Sequence, residues 1–435
     1  MISIVDTLPR ATTDTLAPDL SSAGRSAAAE WPVVIVGASV AGLSVAEALR
    51  RHGYSGEIVM VDSADGFPGD RPPLSKAALF PAGETTVYDV VPAIRREALA
   101  MSCIFGAAAT GVDRHARLLR LADGRSLAYS DLVIASGVRP RAFPGSNHRE
   151  PIEGLHMLRT AADAGRLRAA LARGGSIAIV GGGVLGLEVA ATARGLGCEA
   201  SVIEQTPAGL AAKLGATLAQ RLLDLHRAHG VRLEFGVEAV GFEAGQSGSG
   251  RIEGLRLTDG RVVPASDILV AIGCRPNVEW LAKAGLDLSD GVVCDPFGMA
   301  VDHIWAAGDV ARIPGLTEEG RRQEHKQNAI DHGRLVAANL LAARAGLPLK
   351  RLEAVPYFWT DQFDVKIQFA GAYSPAAREM VVPVEGREGA IAVRFEVEGR
   401  LIGAATWNAP KAMTQLRREI ELACLPIDAP KESIS

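Results

Sequence analysis

Two glycine-rich turns, each set between a short apolar strand and a helix, constrain this chain of 435 residues more than any other feature. One lies within residues 176–204, SIAIVGGGVLGLEVAATARGLGCEASVIE. Ile177, Ala178, Ile179 and Val180 form a continuous apolar run, as a strand buried on both faces of a parallel sheet requires. Gly181, Gly183 and Gly186 follow at G-x-G-x-x-G spacing. The first permits a tight turn, the second lets a pyrophosphate approach the backbone, and the third lets the helix pack on the strand. Val184 and Leu185 then fall in the first helical turn, where unpaired N–H groups favour an anion. Glu204 closes the next strand, 18 residues after Gly186. A carboxylate there binds both ribose hydroxyls of an adenosine and repels a 2′-phosphate, so NADH is expected over NADPH.

One glycine fingerprint is weak, but residues 31–62, WPVVIVGASVAGLSVAEALRRHGYSGEIVMVD, repeat the plan. Gly37, Ser39, Val40, Ala41 and Gly42 form the turn and helix entry, and Asp62 stands 20 residues after Gly42. Ser39 replaces the middle glycine, which a slightly roomier turn tolerates. Two dinucleotide sites in one chain imply a hydride donor feeding a bound redox cofactor: FAD in the first site and NADH in the second.

The length exceeds what one hydrophobic core fills, so two or three domains are expected. A net charge of −4 argues against nucleic acid as a general partner, and no apolar run approaches the roughly 20 residues of a membrane span. Five cysteines are scattered without a C-x-x-C or C-x-x-x-x-C pair, which removes a metal site and dithiol chemistry. They read as buried structural thiols of a cytoplasmic protein, with Cys274 and Cys294 adjoining predicted cofactor loops. Residues 1–30 lack both an amphipathic period and the apolar core of a secretory signal, and read as a disordered leader.

Residues 66–76, GFPGDRPPLSK, form a proline-rich loop in which Arg71 can pair with pyrophosphate and Ser75 can start a short helix entered by Lys76; a plain surface loop fits equally. A helix from residue 86 and a hairpin turn at Asp123 and Gly124 follow. Residues 132–141, LVIASGVRPR, and 268–277, ILVAIGCRPN, are similar strand-to-turn segments, placing Ser136, Gly137, Arg139 and Gly273 beside the cofactors. Helices are expected at 163–173, 214–229 and 324–341, the last with its N-terminus facing the flavin, and GQSGSG at 245–250 as a hairpin tip. Gly308 ends a strand, and Asp309 can accept a bond from a ribityl hydroxyl. Val365, Ile367 and Phe369 alternate as a strand, with others at 380–384, 391–397 and 401–406 and a helix at 411–423. Phe358 and Trp359 either pack in the core or stand against the isoalloxazine edge.

In this order, VGASVAG, DRPPLSK, ASGVRPR, VGGGVLGLEVAA, AAGDVAR, the N-A-x-x-x-G run from Asn328 to Gly333 and PYFWTDQ resemble the FAD-dependent ferredoxin reductases of bacterial oxygenase systems, over about residues 32–425. The resemblance implies an α/β, glutathione-reductase-like fold without the redox disulfide. Its expected divisions are a first FAD-binding part at 31–146, an inserted NADH-binding domain at 147–266, a second FAD-binding part at 267–348 and a C-terminal α/β domain at 349–435. It further implies that Lys76 and Glu188 pair beside flavin N5, shielding each other's charge and orienting the nicotinamide, and that Asp309 binds the ribityl chain. Several members carry an aromatic residue near the flavin where this chain has Lys326. Arg321, Arg322 and Lys326 form either a basic docking face for an acidic ferredoxin or a solvated helix entry.

The expected activity is therefore an NADH-dependent FAD reductase, monomer or homodimer, that passes single electrons to a [2Fe-2S] ferredoxin serving an oxygenase. The alternatives are a flavoprotein sensor or scaffold with negligible turnover, a rubredoxin reductase and an NADH oxidase.

Overall fold

Apolar four- and five-residue runs followed by glycine can be buried only at the centre of a sheet covered on both faces, and the chain builds two such sheets. A computed structural model describes residues 31–81, 90, 93–143, 152–206, 208–244, 251–315, 322–384 and 388–424. The expected leader, the hairpin tip at 245–250 and Arg321 lie outside them.

In the first sheet the strand Val33–Val36 lies between Ile58–Val61 and Asp131–Ile134, all parallel. Ser102–Ile104 and Ile304–Ala306 extend it on either side. In the second, Ser176–Val180 lies between Glu199–Glu204 and Asp267–Val270, with Arg232–Phe235 and Leu155–His156 outermost. The second sheet thus takes in residues 267–270, beyond the expected boundary at 266, because that strand supplies the hydrogen bonds that Ser176–Val180 needs on its second edge. The two similar strand-to-turn segments pair with each other: Cys274–Pro276 runs antiparallel to Val138–Pro140, tying the units together at their cofactor ends.

The helix Val40–Arg51 packs against Lys326–Arg344 at backbone distance, because a Cβ on Gly333 would stand 2.7 Å from Ser44 Cβ and 2.9 Å from the Ala41 carbonyl oxygen. That long helix begins two residues later and runs three further than the pattern predicts. The strand expected to end at Gly308 stops at Ala306, and Gly308–Val310 is a single 3-10 turn. The helix expected at 214–229 forms over Ala216–Ala228, preceded by a separate short helix, Ala208–Leu214. Gly215 adopts φ +78°, a left-handed conformation that ends the first helix, and lies against the Phe395 ring.

The C-terminal domain is a five-stranded antiparallel sheet, Tyr357–Gln362, Val365–Gly371, Arg400–Trp407, Ile391–Val397 and Arg378–Pro383 in spatial order, covered by the helix Pro410–Cys424. Val365, Ile367 and Phe369 are buried as their alternation requires. Glu379 fastens this domain to the second unit: its carboxylate accepts bonds from the backbone N–H groups of Ala216 (2.6 Å) and Thr217 (2.9 Å), two of the unpaired donors at a helix start.

Candidate functional site

The two glycine turns are shaped by the same physical demand. A Cβ on Gly37 would lie 2.2 Å from the Ala135 carbonyl oxygen, and one on Gly181 2.4 Å from that of Ala271, both at strongly positive φ. The third glycines carry the helix packing: a Cβ on Gly42 or Gly186 would stand 2.0 Å or 2.1 Å from the carbonyl of Gly37 or Gly181. The acidic residues close each turn in the same way. Asp62 accepts from the Ala38 N–H (2.7 Å), and Glu204 accepts from the Gly182 N–H (2.8 Å), each binding the end of its strand to the turn. The middle positions differ. A Cβ on Gly183 would have nothing within 4 Å of it, whereas Ser39 brings a hydroxymethyl group to the same place without making a capping bond.

Each turn opens into its own cavity. One, of about 670 Å³, is lined by Gly37, Ser39, Asp62, Arg71, Ser136 and Arg139. The other, of about 700 Å³, is lined by Gly181, Gly183, Val184, Leu185, Glu188 and Glu204, and also by Lys76, Gly273, Asp309, Lys326, Phe358 and Trp359. Arg159 lines both and reaches Asp309 at 3.4 Å. Val40, Ala41, Gly42, Gly137, Gly186 and Gly308 line neither; they shape the turns and helix contacts behind the cavity walls.

The first cavity suits a diphosphate. Burial, and then the like charge of Arg159, push the Arg71 guanidinium down to about 10, so two cations are held close together beside an opening that an anion would relieve. Arg159 was not legible in the sequence, since it belongs to no motif. The only local signal is the capping box made by Thr160 and Asp163 immediately after it.

Lys76 and Glu188 meet at 2.7 Å at the wall of the second cavity, as the resemblance implied. Ser75 does not start a helix: it lies inside the turn Pro72–Ser75 and its hydroxyl donates to Glu188 at 2.5 Å. Thr360 of the C-terminal domain donates to the other carboxylate oxygen at 2.6 Å. One carboxylate of the second unit therefore receives donors from both of the other parts of the fold. Phe358 packs on Phe369 in the core, as one of its two expected readings has it, and also stacks on His325 (4.7 Å between ring centres) at the cavity wall.

Of the residues expected in a basic docking face, the two that are described, Arg322 and Lys326, are both committed to acidic partners. Arg322 is only 9% exposed, bound to Asp290, Glu324 and the Asp309 carbonyl, and Lys326 pairs with Asp70 at 2.5 Å across the cleft. Arg139, expected beside a cofactor, spends its guanidinium on an ion pair with Glu279. Cys294 is buried, with its thiol pushed up to about 12 by burial, and Cys103, expected to be buried, is exposed. Cys274 is the one cysteine lining either cavity among the described residues, and burial raises its pKa. No group of side chains able to hold a metal ion, and no helix long and apolar enough to cross a membrane, occurs among the described residues.

The chain matches a family model described as pyridine nucleotide-disulphide oxidoreductase over residues 31–333, and one described as reductase C-terminal over residues 357–429. It is 37% identical over 400 residues to the ferredoxin–NAD(+) reductase component of the p-cumate 2,3-dioxygenase system of Pseudomonas putida, covering 89% of this chain and 93% of the relative. It is 33% identical to rhodocoxin reductase of Rhodococcus erythropolis, over 87% of either chain. A solved structure of the covalent putidaredoxin reductase–putidaredoxin complex matches with a TM-score of 0.83 and 30% identity, covering 90% of this chain and 93% of that one. With two dinucleotide turns of matched geometry opening on adjoining cavities, the chain belongs to the pyridine nucleotide-disulphide oxidoreductase family.

Proposed function

We propose that this protein is an NADH-dependent FAD reductase that delivers single electrons to a [2Fe-2S] ferredoxin serving an oxygenase. The observation that carries this reading is the Lys76–Glu188 pair, placed at the wall of the cavity that the NADH-type turn opens and reached from the FAD-type unit through the loop holding Lys76. The relatives named as ferredoxin reductase components and the match to a reductase in complex with putidaredoxin support the choice of acceptor. With no second thiol beside Cys274 among the described cavity residues, electrons leave to an external partner rather than through a dithiol.

In this proposal Arg71 and Arg159 hold the FAD diphosphate, Asp62 its ribose, and Asp309 its ribityl chain. Glu204 holds the NADH ribose and disfavours a 2′-phosphate. Bound FAD supplies the ability to take two electrons together and release them one at a time. Lys76 and Glu188 align the nicotinamide and keep each other's charge compensated; neither acts as a general acid, because hydride transfer needs alignment more than proton transfer. We place the enzyme in the cytoplasm, where NADH is available, as a monomer or homodimer.

Anaerobic stopped-flow reduction by NADH, followed by mixing with a two-iron ferredoxin from the same organism, tests the proposal. Reduction within seconds and rapid electron loss to the ferredoxin are expected. Fast reduction without transfer to any ferredoxin overturns it in favour of a sensor or scaffold.

A further inference from the structure

Behind the Lys76–Glu188 pair a chain of buried polar side chains runs away from the cavity. Thr360 Oγ1 lies 2.6 Å from Glu188 Oε1 and receives Gln362 Nε2 at 3.0 Å. Gln362 Oε1 in turn lies 2.7 Å from His226 Nε2. His226 and Thr360 are fully buried and Gln362 is 2% exposed, so the chain runs through the interior. It begins on the helix Ala216–Ala228, crosses the edge strand of the C-terminal sheet and ends on the helix Val184–Gly195.

The polarity of this chain follows from counting protons. A threonine hydroxyl has one hydrogen; with Gln362 donating to it, that hydrogen is free to go to Glu188. The Gln362 oxygen is an acceptor only, so His226 must carry its proton on Nε2. His226 Nδ1, which has no partner among the described residues, is then an unused acceptor, the cheaper kind of orphan. Turning the amide over would make Nδ1–H a buried donor without a partner and would direct the Thr360 proton away from Glu188. Burial holds the His226 imidazole down to about 4, so it is neutral near pH 7, and its ring is fixed edge-on against Phe363.

The geometry points to Thr360, Gln362 and His226 as positioning residues for hydride reception, a one-way donor chain that holds Glu188 Oε1 as an acceptor and so fixes the carboxylate against Lys76. Lys76 and Ser75 supply the other donors to that carboxylate. The side-chain donors come from the first unit and the C-terminal domain, while the acceptor sits in the second unit, so the alignment of the pair reports how all three are seated. The inference rests on the proposed role of Lys76 and Glu188 in aligning the nicotinamide.

Thr360→Val removes the last donor with little change of shape, and Thr360→Ser keeps it. In the FAD-loaded enzyme, Thr360→Val is expected to slow the limiting rate of flavin reduction about tenfold, with the dissociation constant for NADH unchanged within about twofold, and Thr360→Ser to restore most of that rate. Nitrogen-15 NMR of histidine-labelled protein without NADH reads the chain itself: the signal lost in His226→Gln should be that of a neutral Nε2–H ring. A Thr360→Val enzyme as fast as the parent, a Thr360→Ser enzyme as slow as Thr360→Val, or an Nδ1–H ring at His226 each overturns the inference. A parent enzyme that NADH does not reduce overturns the proposed function and the inference with it, whereas a fast parent with an equally fast Thr360→Val overturns the inference alone.

Discussion

The strand Val33–Val36 pairs with Asp131–Ile134, and Ser176–Val180 pairs with Asp267–Val270 in the equivalent register, so Asp131 and Asp267 occupy matching buried positions, each opposite the residue four before the first glycine of its turn. Burial pushes both carboxyls up, yet both end below the usual carboxylate range because cations and hydrogen bonds outweigh it. The partners are different. Asp131 is held by Arg344 at 2.6 Å and by His303, whereas Asp267 is held by His156 at 2.9 Å and Arg173 at 3.2 Å. At the other end of the strands, Asp62 and Glu204 make matching bonds to turn backbone. The two units therefore share what backbone geometry dictates and differ wherever a side chain must reach across the fold for its partner.

The severest way to break this comparison is to block the third glycines. Gly42→Ala and Gly186→Ala each drive a Cβ to within 2.0 Å or 2.1 Å of a turn carbonyl, which forces helix and strand apart. Gly42→Ala is expected to yield protein without flavin. Gly186→Ala should keep its flavin yet be reduced by NADH at least about a hundredfold more slowly. Flavin absorbance after gel filtration and stopped-flow reduction read the two effects; loss of flavin from both variants would mean that the units do not work separately.

Lys76→Ala acts at the join. It leaves Glu188 beside Ser75 and Thr360 without its cation, and the flavin should stay bound while its reduction slows about thirtyfold. Reduction as fast as in the parent would show that the pair does not align the nicotinamide.

What the sequence discloses follows the same division. The central strands, the glycine turns and the closing acids are legible because each is a local demand: φ, close approach, or a carboxylate at a strand end. Arg159 is not, because nothing near it in sequence says that it will stand between two cavities. Nor is the burial of Arg322, whose partners Asp290 and Asp309 come from other loops. The chain from His226 to Glu188 spans three elements and has no signature beyond the alternation that buries Thr360 and Gln362 on the same face of their strand.

Glu204→Ala tests whether the matching carboxylates do matching work. The Michaelis constant for NADH should rise about tenfold, as for the loss of a charged hydrogen-bond acceptor, and the preference over NADPH should narrow. An unchanged ratio of the two coenzymes would remove Glu204 from the ribose and leave it only the Gly182 bond. Asp62→Ala should weaken FAD retention and leave the coenzyme ratio alone.

Buried histidines offer a smaller comparison, with His226 in the second unit and His332 in the helix packed on the first, both held down to about 4 by burial. Below about 6.5 the unfolded chain takes up protons that these folded sites refuse, so stability is lost as pH falls from about 6.5 towards 4. The melting temperature should drop over that window, and less steeply in His226→Gln and in His332→Gln. An unchanged slope in both variants would mean that neither ring is buried in its neutral form.

The smallest expected effect comes from exchanging the middle residues of the turns. Gly183 has φ −73° and open space beyond it, so Gly183→Ser meets neither backbone strain nor a clash, and a serine in place of glycine at a helix start adds at most a few tenths of a kcal/mol of stability. That open space is where the proposed pyrophosphate approaches, so NADH should bind about threefold more weakly to the variant. Ser39→Gly, the reverse exchange, should leave FAD retention unchanged, because the Ser39 side chain makes no capping bond for its helix to lose. Titration of NADH and thermal melting on the two variants separate the outcomes. If Gly183→Ser binds NADH as the parent does, the space beside that turn is not the path of the pyrophosphate, and its middle glycine is no more specialised than the serine that replaces it in the first unit.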